Sequence, residues 1–374
     1  MKLRKKIRVC FFSHFGYALY NPKSKILFGG AEVQLYLISK MLSKLDLFDI
    51  HIILGYNNFN LFKIQKFNKI KLHLSLPIKS NIINQSIGVI NLFLTLAKIN
   101  PDVIIQRGGS IPTGLIALFS KIFRKKFIFS IAHKNDVIKG GKDFPIQIFY
   151  NFGLKNCNYI IAQSRDQISL LEEEKCLSNR NIKLIKSGYD LGSFQKEEKD
   201  FILWVGRAVY WKRPYLYLKL ARDIPDENFV MICPLFEDKE LFDNLKQEAQ
   251  EISNLTYIDY VPFNHINQYF ESAKIFINTS IKEGFPNTFI QASKNGTPIL
   301  SLKVDPDNIL DRYEIGHSFN DDYNRLKGRI ITLLKENQKY SKLSNNCFQY
   351  AKRNHNIKKI SDKWKYVIIS MIKN

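Results

Sequence analysis

The amino-acid sequence predicts an α/β protein with two Rossmann-like domains, from its length, its apolar patterning and one polar boundary. The chain has 374 residues, and a domain usually holds about 150 residues. Hydrophobic residues make up 45% of the chain, enough to bury a sizeable core, which excludes a disordered or collagen-like protein. Short apolar runs alternate with segments of helical spacing, a pattern typical of parallel sheets covered by helices on both faces.

Apolar runs rich in β-branched and aromatic residues predict the strands of the first domain. Between the first two runs, Leu35, Ile38 and Leu42 recur at helical spacing and predict a helix over Glu32–Leu45. The predicted strands are Ile7–Ser13, Ile50–Leu54, Ile70–Leu74, Asp102–Gln106, Phe127–Ile131, Tyr159–Gln163 and Ile182–Ile185.

The second half repeats the alternation after a polar stretch, Asp190–Asp200, where apolar periodicity stops and charge density rises. We therefore expect an N-terminal domain over 1–190, a second domain over 191–354, and a terminal helix over 355–374 that returns to the first domain. Because parallel sheets bind ligands at the carboxyl ends of their strands, two such domains predict a cleft between them. The predicted strands are Phe201–Val205, Phe229–Cys233, Leu255–Ile258, Ile275–Asn278 and Ile299–Leu302.

Charge and cysteine content bear on partners and compartment. The formal charge of +22 attracts polyanions such as nucleic acid, an anionic membrane or a phosphorylated substrate, although a generally Lys-rich composition explains it equally well. Five scattered cysteines without a C-x-x-C pair predict neither a disulfide framework nor a zinc knuckle. With no signal peptide and no run of about 20 apolar residues, we expect a cytoplasmic protein, soluble or peripheral on the inner face of the cell membrane.

The first candidate site follows the predicted strand Phe201–Val205. Gly206 allows a sharp turn at the end of that strand, and Arg207 and Lys212 place two cations beside it. Arg presents a planar fork to phosphate oxygens and Lys a point charge, so this spacing suits a bound diphosphate. Two solvated surface cations are the alternative explanation.

The second candidate site is the run Glu283–Ala292 (EGFPNTFIQA), which follows the predicted strand Ile275–Asn278 and opens a helix. The N–H groups of Asn287 and Thr288 at the helix start, together with the helix dipole, favour an anion. The glutamate that begins the run can accept hydrogen bonds from sugar hydroxyls, and Gln291 lies one turn further along the same helix face. An ordinary capped helix is the alternative.

Together these residues resemble the retaining GT-B glycosyltransferases of family 4, also called glycosyltransferase group 1. That family carries a strand–Gly–Arg–x4–Lys element, matched here by Gly206, Arg207 and Lys212. It also carries an E-x7-E element, matched by Glu283 with Gln291 in place of the second glutamate.

The first domain adds two weaker similarities to the same family. Gly30 lies in Gly29–Gln34 (GGAEVQ), which is similar to the family's Gly-Gly-x-Glu loop. His133 follows the strand KFIFSIA, where the family often has a histidine near the donor sugar. The resemblance is dense over about residues 200–310 and sparser over 1–190.

The resemblance implies roles for these residues. Arg207 and Lys212 would neutralise the nucleotide diphosphate, and Glu283 would bind donor-sugar hydroxyls. Gln291 would meet the nucleotide ribose, and His133 would lie over the donor sugar or the acceptor oxygen. The residues expected to bind the donor, through backbone or side chain, are Gly30, Gly206, Gly284, Phe285, Asn287, Thr288 and Gln291.

The implied reaction is hexosyl transfer with retention of anomeric configuration, from a nucleotide-diphosphate sugar, UDP favoured over GDP, to a glycan or lipid-linked acceptor. Bacterial surface polysaccharide biosynthesis is the pathway that the resemblance implies. It implies no metal and no cofactor beyond the donor substrate. Nucleic acid is not an expected partner, because no recognised binding motif accompanies the charge.

Several features allow other interpretations. Gln291 keeps a non-catalytic GT-B subunit under consideration, and a nucleotide-sugar epimerase or a synthase with a small acceptor is the alternative enzyme. Asp305–Asp307 is a D-x-D, which we interpret as a polar turn rather than a metal site. We interpret Arg107–Ser110 as a tight strand-to-helix turn, and the alternative, that it lines a ligand site, is less favoured. Ile111–Lys126 is either a core-packed helix with a solvated basic end or a surface for anionic membranes.

Overall fold

The computed structural model describes residues 6–21, 23–24, 26–56, 65–78, 82–133, 136–137, 146–173, 181–192 and 199–373. Residues 1–5, Cys176 and the centre of the expected boundary segment, residues 193–198, lie outside the described residues. Two compact units are present: unit 1 is Met1–Gly188 with Ile357–Asn374, and unit 2 is Tyr189–Asn356. Each unit contains a parallel or mainly parallel sheet with helices, which confirms the predicted α/β class.

The elements follow in strict chain order. The strands are β1 Ile7–Ser13, β2 Phe48–Tyr56, β3 Gln65–Phe67, β4 Ile70–Pro77, β5 Val103–Arg107, β6 Lys126–Ser130, β7 Tyr159–Ala162, β8 Ile182–Leu184, β9 Phe201–Val205, β10 Phe229–Ile232, β11 Leu255–Ile258, β12 Ala273–Asn278, β13 Ile299–Ser301 and β14 Gly316–Ser318. The helices are α1 Gly30–Leu42, α2 Ile82–Ile99, α3 Ile111–Ile122, α4 Ile146–Asn156, α5 Arg165–Glu173, α6 Pro214–Asp223, α7 Lys239–Gln250, α8 Ile266–Glu271, α9 Asn287–Lys294, α10 Ile309–Arg312, α11 Tyr323–Lys335, α12 Asn337–Asn354 and α13 Ile357–Lys373.

Unit 1 has a sheet of order β3-β4-β2-β1-β5-β6-β7-β8, in which only β3 pairs antiparallel among the described strands. The connections from β4 through β8 all advance toward the same edge, and right-handed crossovers therefore place α2, α3, α4 and α5 on one face. Their inward residues share one core with β1, β5 and β6, for example Leu92, Ile116 and Tyr150. Helix α1 packs against α13, the terminal helix, whose residues Trp364 and Ile368 are buried.

Unit 2 has an entirely parallel sheet of order β11-β10-β9-β12-β13-β14. After β9 the chain adds β10 and β11 on one side of β9, and then adds β12, β13 and β14 on its other side. This topological switch point, where parallel sheets bind ligands, lies between β9 and β12. Tyr217 anchors the core beneath it, because its single O–H proton is shared between the carbonyl oxygens of Ile202 (2.7 Å) and Val230 (3.0 Å).

The observed strands overlap every predicted strand, but two short strands were not predicted. Both are three residues long: β3 at the edge of the first sheet and β14 at the edge of the second. The first helix begins at Gly30 and not at Glu32, and the Glu32 carboxylate caps its start by accepting a hydrogen bond from the Gly29 N–H (2.9 Å). Among the described helices, none is both long and apolar enough to cross a membrane.

A buried histidine pair joins β2 to β4. The Nδ1 atom of His51 lies 2.9 Å from the Nε2 atom of His73, and the rings stack at 5.1 Å. The Asp49 carboxylate approaches His51 (3.2 Å) and pairs with Lys71 (2.9 Å). The pKa of His73 is lowered to about 4, mainly by burial and to a smaller extent by the charges of His51, Lys71 and Lys98.

We expect this pair to make stability depend on pH. The folded-state pKa of His73 lies below its unfolded value of 6.5, so the unfolded chain takes up the proton first as the pH falls. The free energy of unfolding should therefore decrease between pH 6.5 and about pH 4, by about 3 kcal/mol from this residue. Urea unfolding across that range should show a shallower decrease for His73→Gln, while the control His265→Gln, at an exposed histidine, keeps the wild-type slope. An unchanged slope for His73→Gln would contradict the assignment.

Candidate functional site

The loops that follow β9 and β12 meet at the switch point of unit 2 and are bonded to each other. The Ile281 N–H donates to the Trp211 carbonyl (2.8 Å), and the Thr279 hydroxyl donates to the Lys212 carbonyl (2.5 Å). The Arg213 Nε donates to the Thr279 carbonyl (2.7 Å). These loops hold most of the predicted site residues, so the structure fixes them relative to one another.

Lys212 and Glu283 form an ion pair across the two loops. Each side chain is 16% exposed, so solvent reaches the pair only partly. The same oxygen of Glu283 accepts from the Ser280 hydroxyl (2.9 Å), and the Ser280 N–H donates to Asn278 Oδ1 (3.1 Å). The carboxylate is therefore positioned by two donors. The lysine ammonium has three N–H donors, of which Glu283 takes one.

Gly206 lies directly beneath the Lys212 stem. A Cβ atom added at Gly206 would lie 3.0 Å from Cδ of Lys212 and 2.8 Å from Cη2 of Trp204. Both distances are shorter than ordinary carbon–carbon contact. The glycine is therefore required for the lysine stem to lie where it does, a reason that the strand–Gly–Arg–x4–Lys spacing does not itself reveal.

Arg207 is stacked on an aromatic ring that the sequence did not single out. Its guanidinium carbon lies 3.9 Å from the centroid of Phe236. Phe236 follows β10, which pairs with β9, so the loop after β10 reaches the arginine that follows β9. The stacking uses the face of the planar guanidinium, whereas an arginine binds anions through the N–H groups at the edge of that plane.

We expect Phe236→Leu to weaken anion binding through Arg207. A cation–π contact at a partly exposed site is worth about 1 kcal/mol, so nucleotide affinity should fall about fivefold with the fold unchanged. Isothermal titration with UDP, the nucleotide favoured from the sequence, measures this loss. Phe242→Leu, at a partly buried ring packed against the core of the same unit, is the matched control. Equal affinity losses for both variants would contradict a specific role for Phe236.

Thr279 connects the site to the core of unit 2. Its Oγ1 accepts from the Trp204 indole N–H (2.9 Å) and donates to the Lys212 carbonyl. We expect Thr279→Val, which keeps the shape, to leave a buried donor and a carbonyl unpaired and to lower the free energy of unfolding by about 2 kcal/mol. Chemical denaturation measures this change. Thr332→Val, at an exposed threonine that bonds only within its own helix, should cost much less, and equal losses would refute the network.

The first turn of α9 completes the site in unit 2. Asn287 and Thr288 are its first residues and are half-buried, with Pro286 as the N-cap. Gln291 is 7% exposed, and its side chain makes no hydrogen bond within the described part of the chain. Gly284 is also buried. The ring of Phe285 packs against His355 at 5.3 Å, so any contact of Phe285 with a ligand would come from its backbone.

Gly30 and His133, the two predicted site residues of the first domain, lie in unit 1. Gly30 is the exposed first residue of α1. His133 lies three residues beyond β6, in a loop organised by the buried Asp136, whose carboxylate accepts from the N–H groups of Ala132 (2.9 Å), His133 (3.0 Å) and Gly109 (3.0 Å). Asp136 was not predicted, because only the pairing of β5 with β6 brings it beside Gly109.

The structure also describes the two segments that the sequence analysis interpreted as turns, Arg107–Ser110 and Asp305–Asp307. Gly108 has φ of 84° and turns the chain from β5 into α3, as a strand-to-helix turn requires. Asp305 accepts from the Leu310 N–H (3.1 Å), and Asp307 adopts φ of 58°, so the D-x-D segment forms a polar turn. Across the described residues, no three His, Cys, Asp or Glu side chains are grouped to hold a metal ion.

Comparison with known proteins finds relatives both by sequence and by structure. Residues 192–353, which cover both loops and α9, match the sequence model of the family described as glycosyl transferases group 1. The chain is 24% identical over 244 residues to the UDP-Gal:alpha-D-GlcNAc-diphosphoundecaprenol alpha-1,3-galactosyltransferase of Escherichia coli, covering 60% of this chain and 63% of that protein. It is 25% identical over 223 residues to an uncharacterized glycosyltransferase of Haemophilus influenzae, covering 57% and 61%. The alignments thus span less than two thirds of either relative.

Solved structures share the fold over nearly the whole chain. Sucrose-phosphate synthase from Thermosynechococcus elongatus superposes with a TM-score of 0.80 at 15% identity, covering 98% of this chain and 100% of that one. A glycosyltransferase from Rickettsia africae gives a TM-score of 0.74 at 14% identity, covering 99% and 100%. WaaG, a glycosyltransferase involved in lipopolysaccharide biosynthesis, gives 0.69 at 12% identity, covering 97% and 99%. The fold is GT-B.

Proposed function

We propose that this chain is a glycosyltransferase that moves a hexose from a nucleotide-diphosphate sugar to a glycan or lipid-linked acceptor. The observation that carries the proposal is the Lys212–Glu283 pair at the switch point of unit 2. A cation for the diphosphate and a carboxylate for sugar hydroxyls lie side by side there, next to the first turn of α9. That segment also lies within the region matched by the glycosyl transferases group 1 model.

The proposed chemistry breaks the bond between the anomeric carbon and the diphosphate oxygen and forms a bond from that carbon to an acceptor oxygen. The acceptor proton passes to the departing diphosphate, and both events occur on one face of the sugar, so the anomeric configuration is retained. Charge accumulates on the diphosphate as the bond breaks. Arg207, Lys212 and the N–H groups of Asn287 and Thr288 would stabilise that charge, which is the main contribution of such a site.

The remaining roles follow the same logic. Glu283 would accept hydrogen bonds from sugar hydroxyls, with Ser280 fixing its orientation. Gln291 would bind the nucleotide ribose with one acceptor oxygen and an N–H₂ donor, where a glutamate would offer acceptors alone. His133 would contact the donor sugar or the acceptor, and Gly30 the diphosphate. We infer that no metal takes part, because protein cations supply the charge that neutralises the leaving group.

The donor and acceptor are proposed from the relatives. The Escherichia coli relative is named for transfer of galactose from UDP to a diphosphoundecaprenol-linked sugar, which favours a UDP-sugar and a lipid-linked acceptor here. We propose that this reaction belongs to bacterial surface polysaccharide biosynthesis and takes place in the cytoplasm. We also propose that the chain is a family 4 glycosyltransferase.

The direct test incubates the protein with UDP-galactose, UDP-glucose or UDP-N-acetylglucosamine and a diphosphate-lipid sugar acceptor, in the presence of EDTA. We expect a glycosylated product whose anomeric configuration, read by NMR, equals that of the donor. An inverted product would refute retention, and dependence on an added metal would refute metal independence. Release of a free epimerised sugar without acceptor would favour an epimerase. Nucleotide binding without any turnover would favour the non-catalytic subunit that Gln291 suggests.

A further inference from the structure

Unit 1 carries an exposed apolar surface along α2. One face of this helix is buried in the core through Leu92 and Leu96, yet its opposite face is also apolar. Only one residue of α2 is charged, Lys98. The outward residues recur at helical spacing and are largely exposed, up to 70% for Ile83, and they are Ile83, Ile87, Ile90 and Leu94.

The surface continues onto the end of α3 across a groove. The groove has a volume of about 450 Å³, and all of its lining residues are apolar: Val89, Ile90, Phe93, Leu94, Ala97 and Phe123. The ring of Phe93 packs against Phe119 at 5.6 Å, which fixes α2 relative to α3. We call the exposed residues Ile83, Ile87, Ile90, Leu94, Ile122 and Phe123 the α2–α3 surface.

Cations border this surface, and carboxylates are absent from its helices. Lys98, Lys121 and Arg124 are exposed where α2 and α3 end, and none of them makes an ion pair within the described residues. Neither α2, α3 nor the adjacent α4 contains an Asp or a Glu. The surface therefore has an apolar centre that is bordered on one side by positively charged side chains.

We propose that the α2–α3 surface docks unit 1 on a bilayer that contains anionic phospholipids. Soluble monomers rarely expose contiguous apolar patches of this kind. A bilayer satisfies both parts of the surface, because apolar side chains enter the acyl boundary while Lys and Arg meet the headgroup phosphates. A second copy of the chain fits less well, since a two-fold contact would bring the same unpaired cations together. This docking does not depend on the reaction proposed for unit 2.

The test is flotation of the purified full chain with vesicles of phosphatidylcholine alone or mixed with phosphatidylglycerol. We expect binding to the mixed vesicles that weakens with salt, because screening reduces the attraction of exposed charges. The double variant Ile90→Glu, Leu94→Glu should lose binding by tenfold or more. Replacing Lys98, Lys121 and Arg124 with Gln should weaken it by about a hundredfold. The control Tyr366→Glu changes an exposed aromatic residue on α13 and should bind like wild type.

All of these residues are exposed, so the variants should melt at the wild-type temperature and keep their nucleotide response. Absence of wild-type binding to the anionic vesicles would overturn the proposal, and so would unchanged binding of the double variant. Light scattering provides a second check. A wild-type dimer that dissociates in the Ile90→Glu, Leu94→Glu variant would assign the surface to self-association and overturn membrane docking. Failure of the transfer assay would leave vesicle binding unaffected, so the two proposals fail separately.

Discussion

Lys212→Ala should reduce kcat/KM for sugar transfer by about 100-fold to 1000-fold, the usual loss when one group that stabilises a leaving charge is removed. The variant removes a cation from the diphosphate and leaves the partly buried Glu283 carboxylate without its ion-pair partner. The remaining negative charge would then repel the donor. Steady-state kinetics with a saturating acceptor measure the loss.

The matched control for this variant is Lys246→Ala. Lys246 also forms an ion pair in unit 2, with Asp259 at 2.6 Å, but both side chains are well exposed. Such surface pairs contribute little to stability, so this variant should keep wild-type kinetics and melting. Near-wild-type kcat/KM for Lys212→Ala would contradict the role assigned to the pair.

Gly206→Ala should lower kcat/KM by about tenfold to a hundredfold although it changes no charged or polar side chain. The added Cβ would lie 3.0 Å from the Lys212 stem and 2.8 Å from the Trp204 ring. Overpacking of this kind usually costs about 1–3 kcal/mol. Because the lysine stem is the more mobile neighbour, we expect part of that cost to appear as displacement of its ammonium and weaker donor binding.

Gly328→Ala is the control for the glycine variant. It makes the same chemical change in the same unit, but a Cβ at Gly328 meets no atom within 4 Å. Gly328 lies within α11, so alanine there should leave kinetics unchanged and stabilise the protein by up to about 1 kcal/mol. Should both variants retain wild-type kcat/KM, the packing of Gly206 against Lys212 would have no functional role.

The fold was largely predictable because buried parallel strands are continuous apolar runs. The run Phe201–Val205 is predicted with its observed bounds, and its order in the sheet follows from strand–helix alternation. The two strands that were missed, β3 and β14, are only three residues long. A segment of that length, such as Gly316–Ser318, contains too few apolar positions to show any period.

The site was predictable only in part, because sequence spacing identifies side chains that follow the same strand but not those that meet across strands. Gly206, Arg207 and Lys212 could be grouped because they lie within one loop. Phe236 could not, since its contact with Arg207 depends on β10 lying beside β9. Its one sequence signal is its position just after a predicted strand, where ligand-side loops begin.

The sequence also does not reveal which side chains form hydrogen bonds with each other. Thr279 and Ser280 follow the predicted strand Ile275–Asn278 and look like ordinary polar loop residues. Their importance appears only when the loop folds over Trp211 and Lys212. The predicted ligands Glu283 and Lys212 were each chosen for separate reasons, and their pairing with each other is a property of the fold.

The central claim, a nucleotide-diphosphate site built on Lys212 in unit 2, is tested most directly by a thermal-shift titration. Wild type and Lys212→Ala are titrated with UDP, GDP, ADP and CMP. A ligand at a hundredfold its Kd adds about 2.7 kcal/mol of stability, which raises Tm by several degrees. We predict that UDP raises the Tm of wild type, more than GDP does, and leaves the variant unchanged. No shift with any nucleotide in large excess, or equal shifts for both proteins, would contradict the claim.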